Sequence, residues 1–354
     1  MKNLSLEEFS ISNDLDKSQN EFVLAKSNEL FERLMNFDWN STKLRDYSKI
    51  YFQKCHVKRL HFSIQCSAYN ILMALSKQPG KQISELVYLD YGAGLGTSFM
   101  LAQLCGFNSV VYNDYNAEWL EEAKAMCTEL NLSPAHFVVG DIVEVSEYCK
   151  AHSFAVDIIS SRNVIEHLPD LVHYYSYASQ LNAGRMVMVD STSANSYNPL
   201  VVLNHYKKHR RIEKQFYFEQ RKKFIASHVE GLSEEELSLL SSKCRMVFGD
   251  EIIKVAKHYK DTKNLLIKPT HMTNSREPVY GVWYEHILPG GEFCAAAAKS
   301  DWNSMVMPGF WDTHYKNVFL NWIGKFLNQV IKLTPIPFGR ILAPFMTVVS
   351  VKNG

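Results

Sequence analysis

The sequence has no apolar run long enough to span a bilayer, which takes about 20 residues. None of its seven cysteines forms a Cys-x-x-Cys pair. The first absence reads against a transmembrane helix. The second, with an odd thiol count, reads against a disulfide frame or a zinc site and for reduced thiols in the cytoplasm. Charge of one sign is missing too: 38 Lys+Arg against 37 Asp+Glu leave a net +1. That is too little for a broadly electrostatic nucleic-acid binder. Met1 to Ser18 is polar and acidic without an apolar centre, so no signal peptide is expected there. Internal repeats and low-complexity stretches are absent. The remaining composition is that of a soluble globular chain, and 354 residues suit one core fold with extensions.

What is present concentrates in the apolar run Leu86-Val87-Tyr88-Leu89 and the Asp90-Tyr91-Gly92-Ala93-Gly94-Leu95-Gly96-Thr97 that follows it. An apolar run that stops in glycines reads as a buried strand entering a tight turn. Glycines let the backbone bend sharply and approach a ligand where a Cβ would clash. Ser98 to Cys105 is apolar at helical spacing, so the helix N-terminus would face that ligand. The dinucleotide pattern Gly-x-Gly-x-x-Gly is not met, because the third glycine comes one position early and Thr97 takes its place. Asp90 suits a ligand bearing an ammonium group better than one bearing a pyrophosphate.

Strand and helix then alternate. Ser109 to Asp114 reads as a second strand ending in a carboxylate, about 20 residues beyond the glycines, where a ribose would be gripped. Asn116 reads as the N-cap of a helix from Ala117 to Leu130. His136 to Val139 is a third strand ending in Gly140-Asp141, and Phe154 to Ile159 a fourth, running into Ser160-Ser161-Arg162-Asn163-Val164-Ile165-Glu166-His167. A helix from Asp170 to Leu181 and a fifth strand from Arg185 to Asp190 follow. Such alternation predicts a parallel sheet with helices on both faces.

From Glu85 to Ser193 this order resembles the class I S-adenosylmethionine-dependent methyltransferases. The resemblance implies a doubly wound α/β fold, a Rossmann-like sheet of seven strands with the last antiparallel. It implies S-adenosylmethionine as cofactor, with Asp90, Gly92, Gly94 and Gly96 as its glycine motif, Asp114 on the ribose and Asp141 near the adenine amino group. With their neighbours Ala93, Thr97, Tyr115, Ile142, Ser161 and Asn163, these are the expected cofactor contacts. The other reading of Asp114 and Asp141 is a loop carboxylate capping the next helix.

Methyl transfer rests on alignment of nucleophile and methyl group, and a hydroxyl acceptor gains from a general base. His167, just beyond the fourth strand, is the candidate base, with a pocket-wall role as the alternative; Glu166 stands beside it. Some relatives hold a divalent metal with Glu-x-x-Glu-His, but here the first position is Asn163, one carboxylate short, and no metal is expected.

The division expected is 1–80 as an N-terminal helical extension, 81–193 as the cofactor-binding core, 194–290 as a mostly helical insert after strand five serving as acceptor lid, and 291–354 as the returning core. In the extension, Phe22, Ala25, Leu30, Leu34 and Met35 read as one apolar stripe, and Arg59, His61 and Tyr69 as surface residues, a reach to the carboxylate of a bound cofactor being the alternative. In the insert, the basic segment 207–223 reads as a solvated helix face with aromatics packed inward, an anion site being the alternative. Tyr284 and His286, in an aromatic and polar stretch, are second-choice acceptor residues. The helix Val318 to Leu333 carries Phe319, Ile323, Phe326 and Val330 on one face; it is expected to pack on its own sheet without membrane contact, a helix lying on a membrane surface being the alternative. The function expected is methylation of a hydroxyl or amine on a small molecule or glycan precursor. A nicotinamide-dependent oxidoreductase and a catalytically inactive S-adenosylmethionine-binding protein are the alternatives.

Overall fold

The computed structural model describes residues 17–39, 42, 44–53, 57–132, 135–267 and 274–354. Most of the polar N-terminal segment therefore lies outside the described residues. Two compact units emerge: Met1–Val164 with Leu171–Thr192 and Gly290–Gly354, and Ile165–Asp170 with Ser193–Pro289.

The first unit opens with helices α1 (Lys17–Met35), α2 (Asp46–Tyr51) and α3 (Leu60–Leu75). On α1 the buried stripe is Val23, Ser27, Leu30, Phe31 and Leu34, while Phe22 and Ala25 are exposed. The expected stripe was thus rotated: Val23 and Phe31 share the 3.6-residue period with Leu30 and Leu34, and Phe22 falls off it. Helix α3 is buried nearly all round. Tyr69 is consequently a core residue, and His61 lies stacked between Phe31 and His314. Tyr69 is therefore not a surface residue, His61 is half-buried, and Arg59 is exposed as expected.

The strands are β1 (Val87–Tyr91), β2 (Ser109–Asp114), β3 (His136–Val139), β4 (Ile158–Arg162), β5 (Met186–Thr192), β6 (Asn303–Pro308) and β7 (Met346–Lys352). They form one seven-stranded sheet in the order β3-β2-β1-β4-β5-β7-β6. β1 to β5 are parallel; β7 runs antiparallel to both β5 and β6. β1 and β5 are buried along their whole length, as strands covered on both faces must be. Helices α4 (Ser98–Cys105), α5 (Ala117–Glu129), α6 (Ile142–Ala151) and α7 (Leu171–Ala178) make the crossovers. The chain order reverses at β1, whose neighbours are β2 and β4, so the crevice at its carboxyl end is the ligand-binding position of such a sheet.

β4 begins four residues later than the apolar run suggests and extends to Arg162. Asp157, just before it, already bonds the neighbouring strands through its backbone, to the Val87 carbonyl at 3.0 Å and from the Val187 amide at 2.9 Å, and its carboxylate accepts from Lys81 Nζ at 2.7 Å and the Val87 amide at 2.9 Å. Ser160 and Ser161 continue the strand because their hydroxyls are satisfied inside it, by Asn70 and Asp190 respectively.

In the second unit, α8 (Pro199–Ile212) passes through a π-helical turn (Glu213–Tyr217) into α9 (Phe218–His228), followed by α10 (Glu234–Lys243) and α11 (Asp250–Thr262). Asn198 caps α8, and a Ser233–Glu236 capping box starts α10. Ile225, Val229, Leu240, Cys244, Ile252 and Val255 give the unit its own small core. The basic segment is the solvated face expected at Lys207, Arg210, Arg211, Lys214 and Lys223, but not at Arg221, nor do its aromatics all pack inward. Arg221 is fully buried, donating to Glu213 at 3.0 Å and to the Ser241 carbonyl at 2.6 Å, whereas Phe216 is exposed. The turn widened at 213–217 sets Glu213 opposite Arg221, and the pair compensates itself. Arg221→Met should destabilise this unit by about 3 kcal/mol in urea unfolding, because Glu213 stays buried with its closer cation gone and Arg245 at 3.5 Å. Replacing both partners by apolar residues should recover most of the loss. A single variant as stable as the parent would refute the account.

The first unit closes with α12 (Gly290–Ala298), α13 (Val318–Leu333) and α14 (Ile336–Leu342). α13 does not turn its large apolar side chains to the sheet. Its buried residues are Gly324, Asn328 and Ile331, while Phe319, Trp322 and Phe326 are exposed. Specific polar contacts set this orientation: Asn328 exchanges two hydrogen bonds with the Trp311 backbone, at 2.7 and 3.0 Å, and Asn321 does the same with Tyr315.

Candidate active site

The first unit carries a cradle at the carboxyl end of β1. Asp90 is 3% exposed, and its carboxylate accepts the Phe99 amide at 2.8 Å, tying strand to helix α4. Burial raises its pKa to about 7 against the opposing Phe99 N–H and Arg162. Gly92 and Gly94 have φ of +65° and +53°, a left-handed backbone that favours glycine. A Cβ at Gly92 would strike Val164 at 2.6 Å, and one at Gly96 the Ala93 carbonyl at 2.5 Å. At Gly94 it would meet nothing nearer than Asp114 Oδ2 at 4.0 Å, so the backbone there borders open space.

Asp114, at the end of β2, accepts the Gly94 amide on Oδ2 at 2.8 Å and the Asn116 amide on Oδ1 at 2.9 Å. Burial raises its pKa. It thus fixes the glycine turn, while Asn116, not Asp114, caps α5. Asp141 does cap its helix: it accepts the Val143 amide at 2.7 Å, and Glu144 reaches back to its own N–H at 2.8 Å. Its side chain stays exposed. Ala93 is buried in the turn; Tyr115, 77% exposed, flanks Asp114; Ile142 is buried in the core. Thr97 points away from the cradle, its hydroxyl 2.7 Å from Ser67 Oγ on α3. Ser161 is buried and donates to Asp190 at 2.6 Å. Asn163 has φ +57° and donates its backbone amide to the Ser191 carbonyl at 2.7 Å.

In the second unit the segments 166–167 and 283–286 meet. Trp283 N donates to the His167 carbonyl at 3.2 Å, and His286 N to the Glu166 carbonyl at 2.7 Å. All four candidate catalytic residues therefore share one cluster. His167 Nδ1 lies 3.0 Å from the Trp283 carbonyl. A carbonyl only accepts, so Nδ1 carries a hydrogen, and a ring with one proton would then have its lone pair on Nε2. Glu166 is fully buried, with Oε1 3.5 Å from Ser193 Oγ. The His286 ring stacks on Trp283 at 3.9 Å, and the Tyr284 ring meets His209 edge-on at 5.1 Å. Arg276 lies over Phe248 and Trp283, at 4.1 and 4.5 Å.

Sequence reasoning singled out none of His205, His209 and Glu285, which offer ligand atoms within 4.8 Å of one another, a spacing that suits a cation. The His-x-x-x-His interval on α8 was the legible half of that signal; Glu285 lies too far along the chain. Lys208, 3.2 Å from Glu285, already supplies positive charge there. Burial costs the Glu285 carboxylate, yet His205 at 2.7 Å and Lys208 hold its pKa down at about 2, while burial lowers that of His209 to about 3.

Between pH 6.5 and about 3 the unfolded chain takes up a proton at His209 that the folded chain refuses, so stability present above 6.5 falls on acidification, by about 2 kcal/mol at pH 5. Glu285 adds a loss only below 4.5, and Asp90 opposes both, since from about 7 downward its folded form takes the proton more readily. The readout is therefore a difference. From pH 7.5 to 5 the parent should lose about 2 kcal/mol more than His209→Phe. Equal losses would show that His209 protonates freely.

No curated protein matches the sequence. Among solved structures, the chain is similar to geranyl diphosphate C-methyltransferase from Streptomyces coelicolor A3(2), with 13% identity over 97% of this chain and 99% of that one and a TM-score of 0.40. It is similar as well to a S-adenosylmethionine-dependent methyltransferase from Clostridium acetobutylicum ATCC 824, with 10% identity over 87% and 98% and a TM-score of 0.44. A third, from Mesorhizobium loti, has 12% identity over 77% and 93% and a TM-score of 0.35. The family model for a methyltransferase domain matches residues 83–265, more than half of the 354. The nicotinamide alternative falls with that match, and the chain belongs to the S-adenosylmethionine-dependent methyltransferase-domain family.

Proposed function

We propose that the protein methylates a hydroxyl or amine of a small molecule or glycan precursor, with His167 as general base. The observation that carries this reading is the Trp283 carbonyl on His167 Nδ1, which leaves Nε2 free to accept a proton. The cradle of the first unit fits S-adenosylmethionine on three counts. Backbone at Gly94 borders open space, Asp90 is a buried carboxylate that a cation would ionise, and the Asp114 oxygens each spend one lone pair on a backbone amide and keep another for a ribose hydroxyl. Bound there, S-adenosylmethionine supplies an electrophilic methyl carbon on a sulfonium.

In this reading Asp114 holds the ribose and Asp90 faces the ammonium. Asp141, already capping α6, spends its remaining acceptor capacity on the adenine amino group. The residues of 194–290 select the acceptor, with Tyr284 and His286 orienting it beside His167. Their support is the pair of backbone hydrogen bonds that ties 283–286 to 166–167. The test is incubation with methyl-labelled S-adenosylmethionine and fractionated small-molecule and glycan extracts. Label should move into one fraction. Binding of the donor without transfer to any fraction would leave a binding protein and sink the enzyme's acceptor class.

A further inference from the structure

Helices α13 and α14 present an apolar face to solvent. Val318 is 79% exposed, Trp322 65%, Phe326 57%, Leu333 82% and Phe338 62%. On α13 the polarity is inverted relative to an ordinary surface helix. Gly324, Asn321 and Asn328 face the body, held by hydrogen bonds to Trp311 and Tyr315, and an added Cβ at Gly324 would strike the Asp312 carbonyl at 2.8 Å. Ile331 is turned inward as well, while Phe319, Trp322, Phe326 and Leu333 stand on the outer side. Trp322 and Phe326, one turn apart, stack there with ring centroids 6.2 Å apart.

The charged residues of these two helices have one sign. From Thr313 to Gly354 the chain has no Asp or Glu, while Lys316, Lys325, Lys332 and Arg340 sit on or beside the two helices. Large exposed apolar patches on a globular protein mark an interaction site. A helix with Trp and Phe on one face and Lys along its flank is the pattern that lies in the interface plane of a bilayer, apolar side among the acyl chains and cations on anionic headgroups. α13 has 16 residues, and no described helix is long and apolar enough to cross a membrane. A second copy of the chain is a poor occupant, because face-to-face pairing would oppose two sets of cations with no carboxylate between them.

We propose that the α13–α14 face docks on an anionic membrane surface. This rests on none of the residues assigned to methyl transfer. The test is co-sedimentation of the full chain with vesicles of phosphatidylcholine alone and with phosphatidylglycerol added. Binding should need the anionic lipid, weaken as salt rises, and shift Trp fluorescence to the blue. Trp322→Glu with Phe326→Glu should reduce partitioning at least tenfold while circular dichroism and S-adenosylmethionine affinity stay as in the parent, since both side chains are exposed. Lys325→Glu with Lys332→Glu should remove the preference for anionic lipid. Absence of vesicle binding, or equal binding by parent and Trp322→Glu/Phe326→Glu, overturns the proposal. So does a parent that is dimeric by light scattering, becomes monomeric in that variant and ignores vesicles, which would assign the face to self-association.

Discussion

His167→Ala is expected to lower kcat by about a hundredfold or more while the affinity for S-adenosylmethionine stays within a few fold. Methyl transfer to a hydroxyl or amine leaves the acceptor with a proton to lose, and a positioned base is worth about 10²–10⁴ in rate. The Trp283 carbonyl, 3.0 Å from Nδ1, fixes the tautomer that can take it. That carbonyl is in turn held where the backbone of 283–286 binds that of 166–167. Loss of the imidazole removes the base and leaves these backbone bonds in place, which is why cofactor affinity should not follow. The measurement is label transfer into the responsive extract fraction, with calorimetry of donor binding in parallel. A variant that turns over normally, or that loses cofactor in proportion to activity, would make His167 part of the pocket wall and move the role to Tyr284 or His286.

Asp114→Ala should weaken S-adenosylmethionine and its demethylated product alike by about tenfold or more, a loss of about 1.4 kcal/mol in binding. Two effects add. The charged contact to the ribose disappears, and the Gly94 amide, which donates to Oδ2 at 2.8 Å, loses the acceptor that fixes the glycine turn. Asp114→Asn separates them, since its amide oxygen can still accept from Gly94 while the charge is gone. Its affinity should fall between those of the parent and the alanine variant. Unchanged calorimetric affinity in a folded Asp114→Ala protein would remove Asp114 from the cofactor site.

The sheet and its glycine turn were legible because each depends on neighbours in the chain. The apolar run before Asp90, the helix from Ser98 to Cys105 and the Asn116 cap follow from local hydrophobic period and capping chemistry, and they stand where those rules put them. The limits of α13, Val318–Leu333, were legible on the same grounds, since Asn317 caps its start and Pro335 follows its end.

The meeting of Glu166 and His167 with Trp283 and His286 was not legible, because two loop segments more than a hundred residues apart carry no shared period, and only the folded second unit brings their backbones within hydrogen-bond reach. Burial of Arg221 depended likewise on the opposing Glu213 and on the Ser241 carbonyl from a different helix. The sequence alone therefore determined that a glycine turn follows the first strand of a parallel sheet. It also determined that α13 would be amphipathic. Which side of α13 meets the body was settled by tertiary structure alone: Asn321 and Asn328 find backbone partners there, Gly324 admits close approach, and the aromatic face is left outward.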